Sequence, residues 1–256
     1  MRPLDSFARR ATLRRSAGLL GAFRFEQSDP ARFYGALATD TAAMVADLWA
    51  GTTSSPVAGR TVLDVGGGPG YFSAAFEAAG MTYIGVEPDP TEMHAGPASE
   101  PGSGMFVRAS GLALPFADGS VDICLSSNVA EHVRHPWRLG NEMLRVTRPG
   151  GIAFLSYTVW YGPWGGHETS PWHYLGGTRA RRRYAARHGH EPKNKYGESL
   201  FRVTVRDGVR WARRQQAGEV VGLLPRYNPR WSYWLSRVPL LRELVTWNLV
   251  IVVRKG

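Results

Sequence analysis

The chain has one cysteine in 256 residues, Cys124, so no disulfide forms within it and a reducing compartment suits it. Cys124 lies in the apolar run VDICLSS, where a buried strand thiol is expected rather than a nucleophile. Long apolar runs are missing too. The longest near the C-terminus, Leu249–Val253, falls far short of the roughly 20 residues a membrane span needs. Ala17–Phe23 is short and weakly apolar, with no cleavage-like pattern after it, so no secretory leader is expected and the protein is placed in the cytoplasm. Internal repeats are absent. With 43% hydrophobic and 20% charged residues, the composition is that of a globular protein, most simply one domain with insertions.

Acidic residues are also scarce. Asp and Glu number 21 against 31 Lys and Arg, a net charge of +10. Between Arg179 and Arg214 only Glu191, Glu198 and Asp207 oppose a dense run of arginines and lysines, and Arg2, Arg9, Arg10, Arg14 and Arg15 add charge at the N-terminus. Such a balance favours an anionic partner: nucleic acid, anionic lipid headgroups or an acidic substrate. A solvated basic face would have the same composition, and charge alone selects no partner.

What the chain does have is alternation. Leu4, Phe7, Ala8 and Ala11 fall at helix spacing within residues 1–25. Ser28-Asp29-Pro30 reads as a helix start, and the helix is expected over Ala31–Trp49 with Phe33, Leu37, Met44, Val45 and Leu48 inward. Gly51–Gly59 reads as a linker. From there, strands over Thr61–Val65, Thr82–Glu87, Met105–Ala109, Val121–Ser126 and Ile152–Thr158 alternate with helices over Tyr71–Ala79 and Pro136–Val146, the latter closed by the Arg148–Gly151 turn. That rhythm predicts an α/β fold, a parallel sheet covered by helices on both faces. After Thr158 the rhythm fails, and residues 159–200 have little periodicity. A helix over Asp207–Gln215, a strand over Glu219–Leu224, an aromatic stretch over 225–243 and a last strand over Val245–Val253 complete the chain. The organisation expected is an N-terminal helical lid or extension over 1–58. A single domain follows over 59–256, with acceptor-binding insertions at 159–200 and 225–243.

The stretch LDVGGGPGYF, Leu63 to Phe72, joins the first strand to the next helix. Its glycines let the backbone turn tightly and approach a ligand at the carboxyl end of the sheet. The spacing Gly66-x-Gly68-x-Gly70 departs from the dinucleotide pattern, and Asp64 two residues before it would repel a pyrophosphate while favouring an ammonium. Glu87 ends the second strand, placed to accept ribose hydroxyls.

Taken in order, LDVGGGPGYF, IGVEPDP, LALPFADGSVDICLSSNVAEHV and EMLRVTRPGG resemble the class I S-adenosylmethionine-dependent methyltransferases. The chain is similar to mycobacterial-type members from actinobacteria, closely over about residues 28–158 and loosely over the last strands. The resemblance implies a Rossmann-like, seven-stranded, mostly parallel sheet with an antiparallel last strand, and S-adenosyl-L-methionine as cofactor. It implies that Asp64 lies near the methionine part of the cofactor, that Gly66, Gly68 and Gly70 wrap it, and that Glu87 holds the ribose. Ser110, Gly111 and Leu112 match adenine contacts, with Ser110 where an aspartate is usual, and Asn128 matches a position lining the methionine end. In some related quinone O-methyltransferases an acid and a Glu-His pair look like metal ligands. Here Asn128 replaces the first acid, so Glu131-His132 is expected without a metal, His132 capping or packing under the cofactor.

Hydroxyl and amine acceptors require a base, whereas carboxylates do not. His167, after the loop Tyr161–Gly166, is the first candidate, and His173 the second, because imidazole titrates near working pH. His132, His188, His190 and Glu168 are further options. Trp160, Tyr161, Trp164, Trp172, Tyr174 and Tyr184 in the first insertion, and Trp231, Tyr233 and Trp234 with Arg226, Arg230, Arg237 and Arg242 in the second, supply apolar and anion-binding surface. Tryptophan with arginine suits a membrane interface or single-stranded nucleic acid. The expectation is methyl transfer to a small-molecule or lipid acceptor, an envelope lipid or glycolipid precursor at the cytoplasmic membrane face. The alternatives are an RNA methyltransferase and a non-catalytic cofactor-binding scaffold. The N/D-P-P-Y motif of amino methylation is absent, which disfavours nucleic acid.

Overall fold

In the computed structural model, residues 9–25, 28–95 and 104–256 are described. Leu4, Phe7 and Ala8 of the expected first helix lie outside them. Seven strands form one sheet: β1 (Thr61–Val65), β2 (Thr82–Glu87), β3 (Met105–Arg108), β4 (Val121–Ser127), β5 (Thr147–Thr158), β6 (Gly218–Pro225) and β7 (Asn248–Lys255). Their order is β3-β2-β1-β4-β5-β7-β6. Strands β1 to β5 pair in parallel, and β7 runs antiparallel to both β5 and β6.

Successive residues of the central strands serve opposite faces, as the twofold repeat of a strand requires. Val62, Ile123, Phe154 and Val252 face one core with α1 (Leu13–Ala22) and α2 (Pro30–Thr53). Leu63, Cys124, Leu155 and Ile251 face the other with α5 (Pro136–Val146) and α7 (Val205–Arg214). Short helices α3 (Ser73–Ala78) and α4 (Pro90–Met93) follow β1 and β2. Cys124 is fully buried, and burial pushes its thiol well above the usual range.

Helix α2 is longer than its sequence pattern. Asp29 caps its start, accepting from the Arg32 N–H, and Ser54 closes it in a left-handed conformation at φ 56°. Phe33, Leu37, Met44, Val45, Leu48 and Trp49 are all buried against the sheet, so this helix is part of the core. It also reaches the glycine loop, where Tyr34 stacks on Tyr71 with ring centroids 5.2 Å apart. Arg15 of α1 holds Asp40 of α2 through two hydrogen bonds of 2.6 and 2.7 Å, and donates to the Arg226 carbonyl.

Three elements differ from expectation. Residues 159–200 contain a full helix, α6 (Gly177–His188), ended by Gly189. Its sequence, GTRARRRYAARH, buries only Gly177 and Ala180, so it has no apolar stripe to reveal its period. The Arg148–Gly151 turn is absorbed into β5 as an irregularity, with Val121 opposite Thr147 and Ile123 opposite Ile152. Strand β7 begins at Asn248, later than Val245, because Val245 ends α8 (Leu241–Val245). No helix among the described residues is long and apolar enough to cross a membrane.

Candidate functional site

The residues expected to contact the cofactor, from Asp64 to Asn128, lie along the carboxyl ends of β3, β2, β1 and β4. At the end of β1 the chain turns through Gly66 at φ +80° and Gly68 at φ +52°, conformations that L side chains rarely adopt. A Cβ on Gly66 would stand 2.6 Å from Val129 Cγ2, so the loop fits only as glycine there. A Cβ on Gly68 would meet nothing within 4 Å. Its side faces an opening, a cradle that any side chain would begin to fill. The Gly66 and Gly67 N–H groups donate to Val86 O, and the Gly68 N–H donates to Glu87 Oε2 at 3.2 Å.

Glu87 therefore ties the loop to the end of β2. Its other oxygen accepts from the Asp89 N–H at 3.0 Å. Burial raises its pKa against the lowering of these backbone bonds. Asp64 sits beneath the loop instead of at its lip. It is 3% exposed, and its Oδ2 accepts from the Tyr83 hydroxyl at 2.7 Å. A Cβ on Gly67 would lie 2.9 Å from that hydroxyl and 3.1 Å from Asp64 Oδ2. Burial pushes Asp64 up to about 7, opposed by the Tyr83 hydrogen bond and reinforced by the Glu87 charge. Asp64 thus braces the loop from beneath. Tyr83 reads in the sequence as one more strand aromatic, and nothing there announced it as the partner.

Ser110, Gly111 and Leu112 follow β3. Ser110 is exposed, and its Oγ already accepts from the Leu112 N–H at 3.2 Å, which holds the turn. Asn128 follows β4 with φ +59°, a left-handed position that asparagine tolerates better than most residues. Its Oδ1 accepts from Asn248 Nδ2 at 2.7 Å.

Beyond Asn128 the site changes character. Glu131 is 2% exposed. Its Oε1 accepts from the Thr158 N–H at 2.9 Å, while its Oε2 has no partner. His132 places Nδ1 2.8 Å from the Ser199 carbonyl oxygen. His167, at φ +47°, lies edge-on to His132 with centroids 5.0 Å apart, and its Nε2 is buried without a partner. One ligand-type atom from each of these three residues lies within 4.8 Å of the others. An aromatic cluster joins three segments: Phe23 stacks on Trp164 at 4.7 Å, Tyr227 meets Phe23 edge-on and Trp247 meets Trp164 edge-on.

Two expectations change here. Burial, with the charges of His132 and His173, drives His167 down to about 3, so it is a weak base where a near-neutral one was expected. His173 is fully buried against Trp160 and Tyr174, so its ring does not face an acceptor, and burial lowers its pKa as well. Two arginines expected to supply anion contacts are engaged within the fold. Arg181 pairs with Glu191 and Glu198, and Arg226 is fully buried, donating to the hydroxyls of Thr41, Ser127 and Ser156. A cleft of about 700 Å³ lies near the opposite ends of the strands, lined by Asp118, Asn141, Arg214 and Lys255.

Comparison with known proteins agrees with this geometry. A family model described as a methyltransferase domain matches residues 63–155. A protein of Mycobacterium sp. (strain KMS), described as an uncharacterized methyltransferase, is 66% identical over 254 residues, 99% of this chain and 100% of its own. A Mycobacterium tuberculosis (strain H37Rv) protein of the same description is 65% identical over 250 residues, covering 97% and 98%. Among solved structures, a geranyl diphosphate methyltransferase in complex with SAM is similar in fold, with a TM-score of 0.56 at 16% identity over 88% of this chain and 90% of that one.

Proposed function

The chain belongs to the class I S-adenosylmethionine-dependent methyltransferases, and from that premise we propose that it methylates a small-molecule or lipid acceptor at the cytoplasmic face of an anionic membrane. S-adenosylmethionine is the cofactor, and when bound it supplies a methyl group on a sulfonium, already activated for displacement. The residues fit it. The open side of Gly68 leaves the cradle clear, Glu87 offers a half-buried carboxylate to ribose hydroxyls, and Asp64 sets negative charge beneath the loop. Ser110, Gly111 and Leu112 border the adenine side, and Asn128 lines the methionine end. The work left to the chain is to orient the acceptor and exclude water, a role that the aromatic cluster of Phe23, Trp164, Tyr227 and Trp247 would fill.

The observation that carries the membrane reading is apolar surface in the wrong place for a monomer in water. Trp231 is 69% exposed, Trp234 58% and Leu240 83%, with exposed Arg230 and Arg237 in the same stretch. The first insertion repeats the pattern, with Trp172, Tyr174 and Leu175 exposed and Arg183 lying 3.8 Å over the Trp172 ring. Exposed tryptophan and leucine with flanking arginine fit an anionic interface. The protein is expected to sediment with phosphatidylglycerol vesicles at low salt and to be released at high salt. Trp231→Ala/Trp234→Ala should weaken that partitioning at least about tenfold. Failure to bind at any salt would sink the membrane part. Acceptor class is tested by transfer of radiolabelled methyl to fractions of the source cell. Label in the organic phase supports a lipid acceptor, label in RNA overturns it, and cofactor binding without transfer to any fraction favours a scaffold.

A further inference from the structure

We propose that Glu131, His132 and His167 form a binding site for a first-row divalent metal ion, zinc being the best match, beside the cofactor cleft. The three residues come from two separate segments: Glu131 and His132 from the turn after β4, and His167 from the first insertion. One candidate ligand atom of each lies within 4.8 Å of the other two. A tetrahedral zinc with bonds of about 2.0–2.1 Å sets its ligand atoms roughly 3.3 Å apart, so small side-chain adjustments close the set.

Three further features point to an ion. Glu131 is almost fully buried, and no ion pair to it occurs among the described residues. Buried carboxylates are normally paired or metal-bound, because an isolated buried charge is strongly disfavoured. Its Oε1 is fixed by the Thr158 N–H, which leaves Oε2 as the free oxygen, and that atom has no partner. His167 Nε2 is likewise buried without a partner.

The third feature is the orientation of His132. Its Nδ1 lies 2.8 Å from the Ser199 carbonyl, an oxygen that can only accept, so Nδ1 carries the proton and Nε2 presents a lone pair. A backbone carbonyl behind a ligating imidazole is the arrangement that fixes its tautomer and raises its basicity. Two imidazoles and one carboxylate suit zinc and its neighbours better than magnesium or calcium, which prefer oxygen. Three protein ligands leave a fourth position for water or an acceptor oxygen. An acceptor hydroxyl held there would lose its proton to solvent water more readily, an activation the ion would supply. That role rests on the methyltransferase reading, whereas the site does not.

The test is metal binding by the full-length protein after chelator dialysis. Titration with Zn²⁺ in competition with a chromophoric indicator should give one tight site, and Co²⁺ should give the visible absorption of a low-coordinate nitrogen-ligated centre. His132→Ala and His167→Ala should each weaken binding at least about tenfold, with folding checked by circular dichroism. Glu131→Gln keeps the oxygen that accepts from Thr158 and replaces the free oxygen with an uncharged amide NH2, so it should weaken the metal while leaving the melting point near that of the native chain. His188→Ala/His190→Ala, on an exposed surface, should bind as the native chain does. Absence of a tight site, or a cobalt spectrum that survives loss of His132 and His167 or disappears with His188 and His190, overturns the proposal. Metal bound without methyl transfer would leave the site standing and count against the functional reading. Transfer by a chain that binds no metal would do the reverse.

Discussion

Replacing Gly66 with alanine is expected to destabilise the protein by roughly 2–4 kcal/mol, from a left-handed backbone and a forced contact, and to weaken S-adenosylmethionine binding at least about a hundredfold. The two causes are separable. At φ +80° an alanine carries backbone strain wherever it points. In addition its Cβ would stand 2.6 Å from Val129 Cγ2 and 2.7 Å from Cγ1, inside any real carbon contact. Val129 begins the turn that carries Glu131 and His132, so relief by moving Val129 would disturb the acceptor side as well. Trimming the neighbour in Gly66→Ala/Val129→Ala removes the contact but not the strain. The double variant should recover part of the stability and little of the affinity. Thermal melts and isothermal titration with S-adenosylmethionine measure both. A single variant that melts and binds as the native chain does would show that the loop does not adopt this conformation.

Asp64→Asn is expected to do two opposite things: stabilise the cofactor-free protein above pH 7 and weaken its cofactor binding. Burial holds Asp64 at about 7, against an ordinary 3.8. Between those values the folded chain keeps a proton that the unfolded chain has lost. Stability from this group is therefore greatest in acid, falls as pH rises from about 4 to about 7, and stays at its lowest above that. The shift is of order 2–4 kcal/mol at pH 8. Asparagine has no charge to bury, and its carbonyl still accepts from the Tyr83 hydroxyl. The variant should melt several degrees higher at pH 8, by a smaller margin at pH 5, and close to the native chain near pH 3. The same change removes the negative charge beneath Gly67, and affinity for the cofactor at pH 8 should fall at least about tenfold. Equal destabilisation at pH 8 and near pH 3 would show that Asp64 is ionised in the apo protein through contacts other than those described.

How much of this was legible beforehand varies with the range of the interaction. The strands Thr61–Val65 and Thr82–Glu87 and the helix Pro136–Val146 have the bounds their residue patterns announced. Each is a short apolar run or apolar stripe bounded by a local stop signal. The glycine loop and Glu87 were legible for the same reason, since backbone conformation at a glycine and an acid at a strand end are local facts. Helix α6 was not, because it buries so little apolar surface that its period is silent.

The sequence by itself determined the α/β class, the glycine turn after the first strand and the strong positive charge, because these follow from periodicity, glycine spacing and composition. Tertiary structure alone decided where charge is free and where it is enclosed. Arg226 reads as one more cation in an aromatic insertion, yet it lies fully buried among three hydroxyls contributed by Thr41, Ser127 and Ser156. Asp64 faces Tyr83 beneath the loop, 19 residues away in the chain. His167 stands beside Glu131 and His132, and burial turns it from an expected base into a poor one. Proton affinity and ligand geometry depend on what crosses over from other segments, and no window along the chain contains those neighbours.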